Sequence, residues 1–176
     1  MGKHFLIFFM IKNCLVVILA GGNSIRMGKN KLYLDFNGYS FLDYNILKFK
    51  SFGFKKIVIS GNVKNYLSIK DKDTKLIGPL SGIYSVISNE ISFYYKRVLF
   101  LPIDMPFLSK NLIFNMFNNY DYFDVVFYEN YNFPILFDLS KGIRKKILFF
   151  LNKYNNNFSI SNFLSKLVFL RKKNFF

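Results

Sequence analysis

Cys14-Leu-Val-Val-Ile-Leu-Ala-Gly-Gly-Asn-Ser-Ile-Arg-Met-Gly-Lys-Asn-Lys31 decides the fold. Its first part, Leu15 to Ala20, is an unbroken apolar run centred on Val16, Val17 and Ile18, the pattern of a strand covered by helices on both faces. The run stops at Gly21-Gly22, where the backbone can turn sharply and bring its N–H groups close to an anion. The cations Arg26 and Lys31 follow within ten residues. A strand ending in a glycine turn with cations beyond it is the sequence form of a phosphate-binding loop at the carboxyl edge of a parallel sheet.

Two familiar phosphate loops do not fit. A Walker loop needs four residues before its Gly-Lys and a Ser or Thr after the Lys, whereas five residues separate Gly22 from Gly28, and Asn30 follows Lys29. The dinucleotide fingerprint needs Gly-x-Gly, which Gly21-Gly22 does not supply. The string Leu19-Ala-Gly-Gly-x-Ser-x-Arg-Met-Gly28 with Lys31 instead resembles the signature loop of nucleotidyltransferases, and most closely that of the molybdenum cofactor guanylyltransferases. The alternative is a plain strand-turn carrying surface cations.

A chain of 176 residues is read as one domain spanning 13–176, with residues 1–12 as an extension of unknown use that could add to the edge of the first strand; Met10 could equally be the start. The apolar segment Phe5 to Ile11 is too short to span a bilayer and does not make a signal peptide, since Ala20-Gly21-Gly22 belongs to the loop. The net charge of +15 would ordinarily point to nucleic acid or a membrane surface. Here it accompanies a chain-wide excess of Lys, Asn, Ile, Phe and Tyr, so no nucleic-acid partner is expected, and the positive field simply favours anionic substrates. Cys14 alone cannot form an internal disulfide, which fits a reducing, cytoplasmic compartment; at the start of the first strand it reads as a small buried residue. With His4 the single histidine, a multi-histidine zinc site is excluded and a histidine triad would depend on the leader.

Beyond the loop, Lys31 to Phe36 is a short alternating piece ending at an Asn37-Gly38 turn. Ser40 with Asp43 caps a helix whose Leu42, Ile46 and Phe49 share one face and which Gly53 stops. Lys56 to Ser60 is the second strand; Asn65 to Asp73 reads as a short helix plus loop, and Lys75 to Ile77 as a brief strand. Gly78-Pro-Leu-Ser-Gly82 then opens a helix with Leu80, Ile83 and Ile87 on one face. Arg97 to Leu101 is another buried-type strand, running into Pro102-Ile-Asp-Met-Pro106, where Asp104 sits at the strand's carboxyl end between two rigidifying prolines. A lone carboxylate there can ligate a hard cation, because magnesium needs only one or two protein carboxylates; the alternative is an Asp that caps the next turn.

Ser109 caps a helix with Leu112, Ile113, Met116 and Phe117 as its buried stripe. Asp124 to Tyr128 and Phe133 to Phe137 are strands, the second held by Pro134 to an edge or a strand start. Gly142 to Tyr154 is a basic amphipathic helix with Ile143, Ile147, Phe150 and Leu151 inward and Arg144, Lys145 and Lys146 outward; a helix from Ser159 or Ser161 and a strand from Leu167 to Leu170 complete the chain. The alternation implies an α/β three-layer sandwich with a mostly parallel, Rossmann-like sheet, and the resemblance implies the nucleotide-diphospho-sugar transferase type.

The resemblance also implies an activity: transfer of GMP from GTP to the terminal phosphate of molybdopterin, with Mg²⁺ as cofactor and release of pyrophosphate. Leu19, Ala20, Gly21 and Gly22 would cradle phosphates, Arg26 and Lys31 would neutralise charge, and Asp104, in an Asp-Met-Pro-Phe string matching the family's metal-binding turn, would hold the metal. Ser60, Asn62, Gly78, Pro79, Leu80 and Gly82 fall where the family holds guanine, although its acidic contact between strand and turn has no obvious counterpart. The Phe133-Pro134 strand corresponds to the pterin side. Where the family continues into an Asn-rich turn with Thr-Pro, this chain ends at Asn174-Phe-Phe176; either the gene is shortened or the pocket is completed another way. Transient contacts with other proteins of cofactor biosynthesis would follow. The open alternatives are a cytidylyltransferase, against which Gly22 beside Gly21 speaks, a sugar-phosphate enzyme, or a non-catalytic nucleotide-binding protein.

Overall fold

The computed structural model describes residues 3–20, 31–72, 76–118, 123–128, 131–140, 142–153, 159–167 and 172–175, with the backbone alone given for 3–5, 31 and 172–175. The apolar run forms strand β1 (Cys14–Leu19), buried at all six positions. It pairs in parallel with β4 (Lys56–Ser60) on one side and β6 (Arg97–Pro102) on the other. Outside β4 lies β5 (Ser68–Ile69), and beyond β6 come β8 (Ile135–Asp138), β7 (Val125–Tyr128) and β9 (Lys172–Phe175). In this seven-strand sheet only β8 runs against the rest. Pro134 immediately precedes β8, so it costs the ladder no donor and the strand can occupy the sheet interior.

Alternate residues of β1 point to opposite layers. Leu15, Val17 and Leu19 join a core with α3 (Pro79–Ile87), α5 (Ile143–Asn152) and α6 (Ile160–Lys166). Cys14 and Val16 pack on the other side with α1 (Lys3–Lys12), α2 (Phe41–Ser51) and α4 (Lys110–Asn118), where Ile18 meets Leu42. The expected three-layer, mostly parallel α/β sandwich is therefore present. Cys14 is buried as expected, and burial pushes its thiol far up from the ordinary thiol range. The Asn37-Gly38 turn joins a hairpin of β2 (Asp35–Phe36) and β3 (Tyr39–Ser40), and Ser40 Oγ accepts the Asp43 N–H at 3.0 Å to start α2.

Five local expectations are corrected. Residues Lys3–Lys12 form a helix, not an added strand, because Ile7, Met10 and Ile11 fall on one side of it and bury against the α2–α4 layer. The strand expected at Lys75 to Ile77 is instead β5, where Ile69 pairs with Ser60; Leu76 and Ile77 lie outside the sheet. Of the strand expected from Leu167 to Leu170, Leu167 is instead the C-cap of α6 and packs in the core, 168–170 lie outside the described residues, and β9 pairs with β7. Leu112 is 40% exposed, leaving the α4 stripe to Ile113, Met116 and Phe117. Arg144 turns inward: its guanidinium donates to the carbonyls of Ile87 (2.7 Å) and Ser92 (2.8 Å) and to Ser92 Oγ (2.6 Å), tying α5 to the end of α3.

Candidate functional site

Parallel pairing brings the carboxyl ends of β5, β4, β1 and β6 into one line. The Ala20 N–H donates to the Ser60 carbonyl at 2.9 Å, Gly61 to Ile69 at 2.9 Å, and Ile103 to Leu19 at 3.3 Å. Asp71, Ser60, Leu19-Ala20 and Ile103-Asp104 thus follow one another along the edge where ligands bind in open α/β sheets. Gly21, Gly22 and Arg26 lie outside the described residues, and Lys31 is placed by its backbone only, opening a 3-10 turn over Lys31–Tyr33.

The amino end of α3 closes one side of this edge. Gly78 has φ +66° and ψ −142°, a conformation that any side chain would strain, and Pro79 then occupies the first helical position with Leu80 buried behind it. Gly82 is required for closeness: a Cβ there would stand 2.5 Å from Ser60 Oγ and 2.9 Å from Leu19 Cδ2. The helix backbone therefore lies directly against two of the expected site residues. Ser60 is fully buried beneath it, and its hydroxyl donates to Asp71 Oδ1 at 3.0 Å. Asn62, two residues on, is exposed.

Asp71 is a residue that sequence reasoning passed over, because it sits in a polar stretch with no motif around it. The fold brings it to the Gly82 slot through the Ile69–Ser60 pairing. Its neighbour Lys72 fastens the segment to α3, donating its N–H to Ser85 Oγ at 2.7 Å. An acidic group thus stands between β5 and the turn at Gly78, beside the amino end of α3.

Asp104 is exposed at the other end of the line and borders a cavity of about 490 Å³ lined by Phe107, Leu112, Tyr128, Tyr131 and Phe133. Its loop is held from below by two α2 side chains with no counterpart in the sequence reading. The buried Asn45 donates Nδ2 to the Ile103 carbonyl at 2.9 Å, and Lys48 Nζ donates to the carbonyls of Met105 and Pro106 at 2.8 and 2.9 Å. Burial pulls the Lys48 ammonium down from its ordinary 10.5 to about 8. Between those values the unfolded chain keeps a proton that the native protein has released, so stability rises with pH across the window. The melting-temperature difference between the wild type and Lys48→Met is expected to grow in favour of the wild type from pH 8 towards 10.5; paired thermal melts across that range check it.

No group of three or more His, Cys, Asp or Glu that could hold a metal occurs among the described residues. One exposed carboxylate fits magnesium nonetheless, since that ion keeps most of its shell as water and substrate phosphate oxygens. No helix among the described residues is long and apolar enough to cross a membrane.

Comparison with known proteins agrees with this geometry. A family model described as MobA-like NTP transferase domain matches residues 16–164. A molybdenum cofactor guanylyltransferase of Xanthomonas euvesicatoria pv. vesicatoria is 33% identical over 131 residues, covering 74% of this chain and 67% of that protein. Against further relatives of the same description the chain spans 54% of their length. Among solved structures, the bifunctional IspDF of Campylobacter jejuni superposes with a TM-score of 0.68 at 18% identity, covering 93% of this chain and 49% of that one. Molybdopterin-guanine dinucleotide biosynthesis protein A of Archaeoglobus fulgidus superposes with a TM-score of 0.62 at 16% identity, covering 92% and 82%. At these identities the superpositions speak for the fold, and the family match speaks for descent: the chain belongs to the MobA-like NTP transferase family of nucleotidyltransferases.

Proposed function

We propose that this chain transfers GMP from GTP to the terminal phosphate of molybdopterin, with Mg²⁺, releasing pyrophosphate. The observation that carries the reading is the position of Asp104. It follows the strand beside Leu19, on the line that leads to the α3 slot, and it also borders the aromatic cavity on the far side. A nucleotide laid along Ala20, Asp71 and the Gly78-Pro79 turn and a flat pterin among Phe107, Tyr128, Tyr131 and Phe133 would meet at this carboxylate.

An acceptor phosphate oxygen attacks the α-phosphorus of GTP, the bond from that phosphorus to the bridging oxygen breaks, and pyrophosphate departs with the electron pair. The attacking oxygen is already anionic, so the protein's work is alignment and charge neutralisation. The backbone of Leu19 to Gly22 cradles phosphates, Arg26 and Lys31 compensate negative charge, and Asp104 holds Mg²⁺, which supplies electrostatic stabilisation when bound. At the base end, Asp71 is an acceptor-only group, matched to guanine, whose Watson–Crick edge offers N1–H and N2–H donors; cytosine offers only its 4-amino group there. Gly78, partly exposed at the amino end of α3, gives the ring a backbone position free of a side chain.

Pyrophosphate release measured with each of the four triphosphates, with and without molybdopterin, tests the proposal: release is expected with GTP and acceptor together, and release with CTP instead would overturn it. Asp71→Asn keeps an oxygen for Ser60 but replaces an acceptor by a donor. It is expected to raise KM for GTP by roughly tenfold to a hundredfold with kcat little changed, as for a lost charged hydrogen bond in binding. Steady-state kinetics against GTP read this directly.

A further inference from the structure

We propose that helix α1 docks this protein on an anionic lipid surface, lying in the plane of the interface. The helix is apolar on both sides. Ile7, Met10 and Ile11 bury against the body, whereas Leu6 and Phe9 are 49% and 58% exposed and Phe8, with one ring edge beside Gly53, is still 47% exposed. Large apolar side chains left open to solvent on a helix whose other side is anchored make a surface that water disfavours.

The charge around this patch says what covers it. Lys12 Nζ lies 4.0 Å from the centre of the Phe8 ring. On α4, which packs beside α1, Lys110 Nζ lies 5.1 Å from the centre of the Phe114 ring. Neither helix contributes a carboxylate: no Asp or Glu occurs in residues 1–34 or 107–119. An apolar patch with Lys12 against it, on two helices free of carboxylates and a chain of net charge +15, is complementary to a bilayer bearing anionic headgroups, where apolar side chains enter the acyl boundary and the lysine meets phosphate. With ten residues α1 can lie on a membrane but cannot span one.

A second copy of the chain fits less well. Each copy carries the same +15, and three side chains supply far less than the roughly 800 Å² per partner of a stable dimer. Nucleic acid fits less well too, because Leu6 offers no face for a base and a single lysine, Lys12, is seen against the patch instead of a track of cations.

The chain contains no tryptophan, so Phe9→Trp places a single reporter on the patch of the full-length protein. Its emission is expected to shift to the blue with vesicles of phosphatidylcholine and phosphatidylglycerol, and to stay unshifted with phosphatidylcholine alone. In co-sedimentation with the mixed vesicles, Leu6→Ser/Phe9→Ser, checked for native circular dichroism, is expected to bind at least about tenfold less than the wild type. An unshifted emission with the mixed vesicles, or equal binding by the serine variant, would overturn the proposal. So would a dimer in sedimentation equilibrium, or RNA binding, that the same serine substitutions abolish while leaving vesicle binding intact.

Discussion

Asp104→Ala is expected to lower turnover by at least about two orders of magnitude while leaving the melting temperature nearly unchanged. The asymmetry comes from where the carboxylate stands. Asp104 is exposed, so its removal opens no cavity, and the loop around it is held by other groups: Asn45 and Lys48 bond to Ile103, Met105 and Pro106. What is lost is a negative charge where the carboxyl edge of the sheet meets the aromatic cavity, the place proposed for the reaction. Single-turnover pyrophosphate release at increasing Mg²⁺ is the measurement; an alanine variant as fast as the wild type would remove Asp104 from the reaction. Lys31→Ala is expected to cost a similar factor if, as proposed, its ammonium compensates charge on the departing pyrophosphate.

Gly82→Val is expected to act through structure and to be the most damaging single change on the nucleotide side. Its Cβ alone would come to 2.5 Å from Ser60 Oγ and 2.9 Å from Leu19 Cδ2. Neither neighbour gives way readily. Ser60 is fully buried in β4 and pinned to Asp71, and Leu19 is packed at the end of β1. α3 must therefore move off the sheet, a form of overpacking that costs about 1–3 kcal/mol and, for a chain of this size, roughly 2–12 °C in melting temperature. The displaced helix also carries the Gly78–Gly82 turn away from Asp71, so the thermal shift on adding GTP should vanish. Gly82→Ala combined with Ser60→Gly should recover part of the stability lost by Gly82→Ala alone, because the tighter contact has been removed; a strictly additive pair would refute the contact as the cause.

The corrections to the sequence reading share a physical origin. Arg144 looks like a solvated cation because local pattern registers only helical spacing; the carbonyls of Ile87 and Ser92 that draw it inward belong to segments some fifty residues away. Ser68–Ile69 is too short for periodicity to register, and it becomes a strand only because β4 offers it an edge. Residues 3–12 read as strand-like or helical with equal ease, since an apolar run carries no period of its own; burial of Ile7, Met10 and Ile11 against the α2–α4 layer decides for the helix.

The sequence by itself determined the layered α/β architecture, the strand that ends in Leu19-Ala20, the helix opening at Pro79 and the loop bearing Asp104, because each is written in local rules: apolar run, glycine turn, proline and cap. Tertiary structure alone decided that Ser60 would lie buried under Gly82, that Asp71 would join it, and that Asn45 and Lys48 would hold the Asp104 loop. Those relations depend on strand order and on which backbones approach closely. Such distances arise only when segments far apart in the chain are packed together, so no local pattern of residues contains them.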